Sequence, residues 1–414
     1  MKNQSILRDI RRHYQKNGAR SLVRSTFNHP VFADWPVVGH AINSAYPRYL
    51  VTSDELKSEY CTTYEELAED LDGLHYGLNE EIAPLQDDPS LEYNYYPRFS
   101  FEQPFVASVP DVTVAGEFPI AIADDGKVLV DTLNSFTDGA GWRTGGAIKQ
   151  AISGSPITVG TALLRGRAPT SKRAIPVAAI VNGYWGNFYH WTLEELLKLR
   201  GIKQYERRTG RDVPLLIPSD PKSYVTESLR LLGYDDADYI EWDGEPLHVD
   251  RLIVPSFPDP TPLAMEWLRN EATDGLDLSD DTGPDWVYVS RQNADTRRVA
   301  NYAEIQPVLE EYGIEPVECE TLSLDEQIRL FSSVEGIVGP HGAGLTGLVW
   351  SSDLDVVEIF NNVVKGPYYV LAHVLGHDYT ALSGEPVGDI PNGRERDIRV
   401  DSRRFRDVLS QIVC

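Results

Sequence analysis

Residues 286–360 read WVYVSRQNADTRRVANYAEIQPVLEEYGIEPVECETLSLDEQIRLFSSVEGIVGPHGAGLTGLVWSSDLDVVEIF. Four short apolar runs, WVYVSR, EPVEC, GIVGP and DVVEIF, alternate with the helical patterns AEIQPVLEEYG, SLDEQIRLFSSV and GLTGLVWS. Strands of the buried type separated by crossover helices are the mark of a parallel sheet, so the stretch predicts an open α/β unit of about four strands. In such a unit the carboxyl ends of the strands are where a ligand binds.

Three features fall at those ends. The run Gly339-Pro340-His341-Gly342-Ala343-Gly344-Leu345-Thr346 joins a strand to a helix. Small residues allow the backbone to approach a ligand, and a helix start offers unpaired N–H groups and the positive end of the dipole. That suits a diphosphate or a carboxylate, with His341 as an extra donor. The run is neither a G-x-G-x-x-G fingerprint nor a Walker loop, and a glycine-rich turn there also serves structure alone. Ser290-Arg291 and Arg297-Arg298 follow the first strand. Planar, permanently charged guanidinium groups suit a diphosphate, and Arg291, directly at the strand end, is the better placed. Glu358, at the end of DVVEIF, can accept both hydroxyls of a ribose; the alternative is a capping or salt-bridged acid.

Upstream, ATDGLDLSDDTGPD (272–285) is acidic and turn-rich and reads as a linker. Before it the alternation occurs once already. IPVAAIVNG (175–183) reads as strand, residues 187–210 as helix, VPLLIP (213–218) as strand, YVTESLRLLGY (224–234) as helix and DRLIVPS (250–256) as strand. Residues 104–133 read as three short strands with a turn at Asp124-Asp125-Gly126, residues 137–160 as a glycine-rich loop, and residues 53–73 as an acidic helix. Two successive α/β units place a ligand site between them. In the first unit, NFYHWTLEE (187–195) begins a helix, and His190 and Glu194 are four residues apart on one face. Such a pair can take a proton from an acceptor hydroxyl. Equally, it can be a helix start with a core aromatic cluster and a surface acid. No histidine spacing points to zinc, and no D-x-D pair is placed to hold a divalent ion.

Composition excludes whole classes. The chain has 414 residues and carries 63 acidic against 38 basic side chains, for a net charge of −25. Such a chain repels nucleic acid, so no nucleic-acid partner is expected. Lysine is scarce, 10 against 28 arginines, in the acidic style of salt-loving microbes. Three scattered cysteines, Cys61, Cys319 and Cys414, fit neither a disulfide framework nor a metal cluster, and a reduced, cytoplasmic protein is the expectation. No apolar run approaches the ~18 residues of a membrane span. Residues 1–27 oppose the general charge, with seven Lys and Arg against Asp9 alone. They read as a basic amphipathic helix, suited either to peripheral contact with the cytoplasmic face of an anionic membrane or to packing on the body with its arginines in solvent.

The phrases NFYHWTLEEL, VYVSR…RR…N, LSLDEQIRLFSSVEGIVGPHGAGLT and VVEIF together resemble the glycosyltransferase 61 family, over about residues 100–380. The resemblance implies the GT-B architecture, two Rossmann-like domains facing a cleft. Here these are residues 101–275 on the acceptor side and 285–380 on the nucleotide-sugar side. Residues 1–27 and 28–100 precede them, and 381–414 follow as a helix returning to the first domain. It further implies an inverting sugar transfer with no cofactor and no obligatory metal. By position, Arg291, Arg298 and His341, Gly342, Ala343, Gly344 and Leu345 would hold the diphosphate. Gln327 and Glu358 would lie near the nucleotide, and His190 and Glu194 would face the acceptor, with Glu194 as the base. The sequence departs from the family pattern at Tyr302, where an acid is usual, at Gly347, where Asn is usual, and at Leu197-Lys198, where Pro-Arg is usual.

The expected activity is therefore transfer of a hexose or pentose from a nucleotide diphosphate donor to a glycan or lipid-linked acceptor, in glycan biosynthesis such as protein glycosylation. A non-catalytic nucleotide or glycan binder, and a sugar-nucleotide epimerase, are the alternatives on the same fold.

Overall fold

Five parallel strands form the sheet that carries the glycine-rich turn. Their spatial order is Glu315–Val317, Trp286–Val289, Gly336–Pro340, Asp355–Phe360 and Asp378–Ser383. Numbered along the chain, this is the 2-1-3-4-5 order of doubly wound sheets. The strand direction of travel reverses between Trp286–Val289 and Gly336–Pro340, and a crevice opens at the carboxyl ends of those two strands. The computed structural model describes residues 50–71, 74–77, 91–93, 98–116, 119–133, 162, 165–183, 186–278, 283–390 and 392–413. The basic segment 1–27, most of 28–100 and the loop 137–160 lie outside the described residues. The fifth strand, Asp378–Ser383, was not expected. Its residues are less buried than those of the central strands, because it is an edge.

The helices of this unit start where side chains can satisfy them. Ser323 caps Leu324–Ser333, with its Oγ accepting from the Glu326 amide at 3.3 Å and Glu326 Oε2 accepting from the Ser323 amide at 2.8 Å. That helix buries Leu324, Gln327, Ile328 and Phe331. Asp401 caps the last helix, Ser402–Ile412. This helix was expected to return to the first unit. It packs instead on Tyr302–Glu311, burying Phe405 and Leu409 beside Ile305, Val308 and Leu309, and Arg406 pairs with Glu311 at 3.0 Å. Its apolar stripe matches that of Tyr302–Glu311, so the nearest complementary face captures it.

The other sheet has ten strands among the described residues. Its parallel part runs Tyr239–Trp242, Leu215–Pro218, Ala178–Ile180 and Leu247–Pro255, a 3-2-1-4 order along the chain. Leu247–Pro255 then pairs antiparallel with the long strand Phe105–Ala115, which continues into Ile120–Ile122 and Val128–Leu129. The unit is thus mixed, not purely parallel. The expected helix at 53–73 stops early: Ser53–Glu55 leads into one turn of π-helix at Leu56–Tyr60, and Thr63–Glu66 is a strand on Phe105–Ser108. Cross-strand pairing of Thr63 and Tyr64, both good strand formers, outweighs the helical preference of the acids.

The two units meet along one continuous apolar cluster. It runs from Trp191, Leu196 and Leu268 in the first unit to Phe331, Leu345, Trp350 and Tyr368 in the second. Polar contacts fix the junction: Arg269 Nε donates to the Val349 carbonyl at 2.9 Å, Glu227 Oε2 accepts from the Leu324 amide at 2.8 Å, and Arg230 pairs with Asp325 at 2.9 Å. Among the described residues no helix is long and apolar enough to cross a membrane.

Candidate active site

The site is built from one loop and one helix start of each unit. On the second sheet, Pro340 ends its strand and the His341 amide bonds to the Ile359 carbonyl at 2.9 Å. Ala343–Trp350 follows as a tight 3₁₀ helix, closed at its start by the Leu345 amide on the Gly342 carbonyl at 3.0 Å. The amides ahead of Leu345 have no intrahelical acceptor. Gly342 is extended, and a Cβ there would lie 2.2 Å from Arg291 Nη1. Glycine is needed because the guanidinium of Arg291 lies directly over the loop. Leu345 itself is fully buried in the core, so only its backbone can face a ligand.

Arg291 leaves the end of Trp286–Val289 and donates from Nη2 to the Thr296 carbonyl at 3.0 Å. It has no carboxylate within pairing distance among the described residues. Burial and the neighbouring Arg297 both hold its pKa below the ordinary guanidinium value. Of the consecutive arginines, Arg297 is the one that turns in. Its backbone is left-handed at φ 58°, and its Nη1 donates to the His341 carbonyl at 3.0 Å. Arg298 points away, held to Asp397 at 2.8 Å and solvent-exposed, so the structure does not bring it to the loop. Lys365 completes the set. Burial first, then Arg297, press its pKa down to about 8. Among the described residues, the carboxylate that pairs within this group is Glu395, 3.3 Å from Arg297 and 4.0 Å from Lys365, and it does not reach Arg291. An unbalanced, partly buried group of three cations is a site that lacks an anion.

Beneath the cations lies a chain of hydrogen bonds. His341 Nδ1 is 2.5 Å from Glu358 Oε1, and Tyr379 Oη donates to Glu358 Oε2 at 2.6 Å. Glu358 is 0% exposed. Burial pushes its pKa up to about 8, against the opposing pull of the Tyr379 hydrogen bond, Lys365 and Arg297. Burial, with Lys365, Arg297 and Arg291, drives the His341 pKa well below its ordinary value. Both carboxylate oxygens of Glu358 are thus committed inside the protein, and a ribose cannot reach them; this corrects the reading of Glu358 as a ribose acceptor. Gln327 is also an internal tie. Its amide nitrogen donates to the carbonyls of Cys319 at 3.0 Å and Leu322 at 3.2 Å, at the turn packed under Gly344.

On the first sheet, Asn187 Oδ1 accepts from the His190 amide at 3.2 Å and starts the helix. The expected single helix is interrupted. Phe188–His190 runs into one turn of π-helix, Trp191–Glu195, closed by the Leu196 amide on the Trp191 carbonyl at 2.9 Å, before the α-helix Lys198–Thr209. Such an inserted turn is frequent at functional sites. Here it buries two consecutive acids with different fates. Glu195 pairs with Lys198 at 2.5 Å, and Lys198 also donates to the Val181 carbonyl at 3.1 Å. Glu194 lies 2.8 Å from His190 Nδ1, and its Oε2 has no hydrogen-bond partner among the described residues. Lys198, one of the departures from the family pattern, therefore neutralises Glu195 and leaves Glu194 to His190.

The two halves touch through aromatic rings. Tyr189 meets His190 edge-on at 5.0 Å and Tyr368 at 5.4 Å, and Tyr368 meets His341 at 5.5 Å. His190 and His341 are thus three ring contacts apart, one on each unit. Of the residues read from the sequence, the structure brings His190 to Glu194 and Arg291 to the His341–Leu345 loop, and of Arg297-Arg298 it turns Arg297 inward. Lys365, Tyr368 and Tyr379, which the sequence reading did not name, lie beside them. A signal for Lys365 was present: it is one of only ten lysines in an arginine-rich chain. Nothing in the string distinguishes Arg297 from Arg298, because a left-handed residue decides which one turns inward.

Among the described residues no three His, Cys, Asp or Glu side chains gather as a metal site. No curated protein matches the chain. Residues 188–357 match the family model described as Glycosyltransferase 61, a span that begins beside His190, includes Glu194, Arg291, Arg297 and the His341 loop, and stops one residue short of Glu358. This stretch, which holds residues of both units, identifies the chain as carrying a glycosyltransferase family 61 domain.

Proposed function

We propose that the protein is an inverting glycosyltransferase of GT-B type that takes a hexose or pentose from a nucleoside diphosphate donor. The observation that carries this reading is the cationic group Arg291, Arg297 and Lys365, answered among the described residues by Glu395 alone, over the helix start at His341–Leu345. A diphosphate supplies the missing negative charge. In the reaction the leaving diphosphate gains charge as the glycosidic bond breaks, and fixed cations at that point stabilise the transition state more than the ground state. Three such cations supply the neutralisation for which other transferases use a divalent ion, which is the ground for expecting no obligatory metal.

Glu194 then takes the proton of the acceptor hydroxyl. Its free Oε2 is the accepting atom, and His190 holds the other oxygen. A single base on the face opposite the leaving group gives inversion at the anomeric carbon. The acceptor is a glycan or lipid-linked glycan, on the cytoplasmic face of a membrane if residues 1–27 bind there. The domain boundaries 101–275 and 285–380 belong to this proposal. The two large sheets support a division there, but the first also takes in Leu50–Val51 and Thr63–Glu66 and the second runs on to Ser383.

The test is donor hydrolysis and transfer followed by ³¹P and ¹H NMR with UDP-, GDP-, TDP- and CDP-sugars, in the presence and absence of EDTA. Release of one nucleoside diphosphate, insensitive to EDTA and lost in Arg291→Ala, is expected, with inverted anomeric configuration in the product. A cooperatively folded protein that neither binds nor turns over any of these donors overturns the reading.

A further inference from the structure

We propose that Glu358 is a positioning residue that holds a proton on the His341–Glu358 pair, so that His341 presents Nε2–H to the donor's diphosphate and donor affinity falls as that proton is lost, with the Tyr379 hydroxyl on the other carboxylate oxygen favouring the loss. The inference rests on the donor reading above. It starts from geometry. Nδ1 of His341 and Oε1 of Glu358 are 2.5 Å apart, so a proton must lie between them. Nε2 has no protein partner among the described residues, while Phe360 stacks on one face of the ring at 5.7 Å and Tyr368 meets it edge-on at 5.5 Å. The ring therefore cannot turn to exchange its nitrogens.

Two protonation states follow. With the extra proton, the pair is either carboxylic acid and neutral imidazole or carboxylate and imidazolium. Both forms carry hydrogen on Nε2. Without it, the single imidazole proton must occupy Nδ1 to face the carboxylate. Nε2 then becomes a bare acceptor, which repels phosphate oxygen. The surroundings set the balance. Burial of Glu358 favours its acid form, with its pKa at about 8. The Tyr379 hydroxyl on Oε2, Lys365 and Arg297 oppose this, and Arg291 and the Tyr368 and Glu395 side chains complete the charged and titratable groups around the pair. The sign is that the donor N–H is present below about pH 8 and lost above it, and a bound diphosphate moves the loss to higher pH.

Lys365 titrates in the same range, so the experiment removes it first. Binding of UDP, GDP, TDP and CDP is measured by calorimetry from pH 7 to 9.5 in Lys365→Arg, whose charge is constant. Between pH 7 and 9 affinity should fall roughly tenfold, one decade per unit above the pair's pKa. In Lys365→Arg with Glu358→Gln, the amide donates permanently to Nδ1, Nε2 keeps its hydrogen, and the fall should be under about twofold. Tyr379→Phe should shift the fall to higher pH. In parallel, ¹⁵N spectra of the ligand-free wild type should show His341 Nε2 protonated at pH 7 and bare at pH 9.5, and protonated at both in Glu358→Gln. An unchanged pH slope in the Glu358→Gln protein, or an Nε2 that is bare at pH 7, overturns the proposal. If none of UDP, GDP, TDP and CDP binds the wild type, the donor reading fails, and the imidazole spectra decide the pair on their own.

Discussion

The two histidine–glutamate pairs, one on each unit, are not alike. His190 and Glu194 sit 2.8 Å apart in a π-turn, His190 partly exposed and Glu194 buried, with one buried carboxylate oxygen unpartnered among the described residues. His341 and Glu358 sit 2.5 Å apart under three cations, with the carboxylate sealed and both oxygens engaged. The same two side chains thus give opposite chemistry. A carboxylate with a free lone pair beside an acceptor space can take a proton. A carboxylate used up by its neighbours can only orient the imidazole in front of it. What separates them is the number of internal partners, two for Glu358 and one for Glu194.

The largest effect should come from the open pair. Glu194→Gln keeps the shape and removes the base, so turnover should fall about 10²–10⁴-fold while UDP or GDP affinity stays within about twofold. Activity near wild type in that variant would make the two pairs equivalent and remove Glu194 as base. Next is the ion pair that frees Glu194. Lys198→Met takes the paired cation from buried Glu195, and a destabilisation of up to about 3–5 kcal/mol is expected from thermal or urea unfolding. Replacing both, Glu195→Gln with Lys198→Met, should recover most of that loss, because no buried charge remains unpaired.

These comparisons also show what the sequence could deliver. Period and order of apolar runs gave both parallel cores, the strand ends and hence the place of Arg291, His190 and the His341 loop. Partners did not follow from order. That Glu358 faces inward depends on Tyr379, which arrives on a strand no motif announced. That Lys198 pairs with Glu195 depends on an inserted residue in the helix, invisible to a 3.6-residue period. Gly347 is a third case. It departs from the family pattern, and a Cβ there would lie 2.3 Å from the Phe331 ring. Its cause is packing between Ala343–Trp350 and Leu324–Ser333. Gly347→Asn should therefore cost about 1–3 kcal/mol of stability by overpacking, read from the unfolding midpoint.

The smallest expected effect makes the sharpest test of which residues form the cation group. Arg297 and Arg298 are neighbours in sequence with the same side chain, and composition gives no reason to separate them. Structure does: Arg297 donates to the His341 carbonyl and faces Lys365, whereas Arg298 is tied to Asp397 at the surface. A charge-assisted contact to a diphosphate contributes about 1.5–3 kcal/mol, so Arg297→Ala should weaken UDP or GDP binding by roughly 10- to 150-fold. Arg298→Ala gives up only an exposed ion pair and should change affinity by less than about threefold, with little change in the unfolding midpoint. Calorimetric titration of both variants against one nucleotide reads the difference directly. Equal losses would mean that the Arg297 backbone turn does not set which guanidinium meets the donor, and the diphosphate would then have to lie further out, toward Asp397, than the cation group places it.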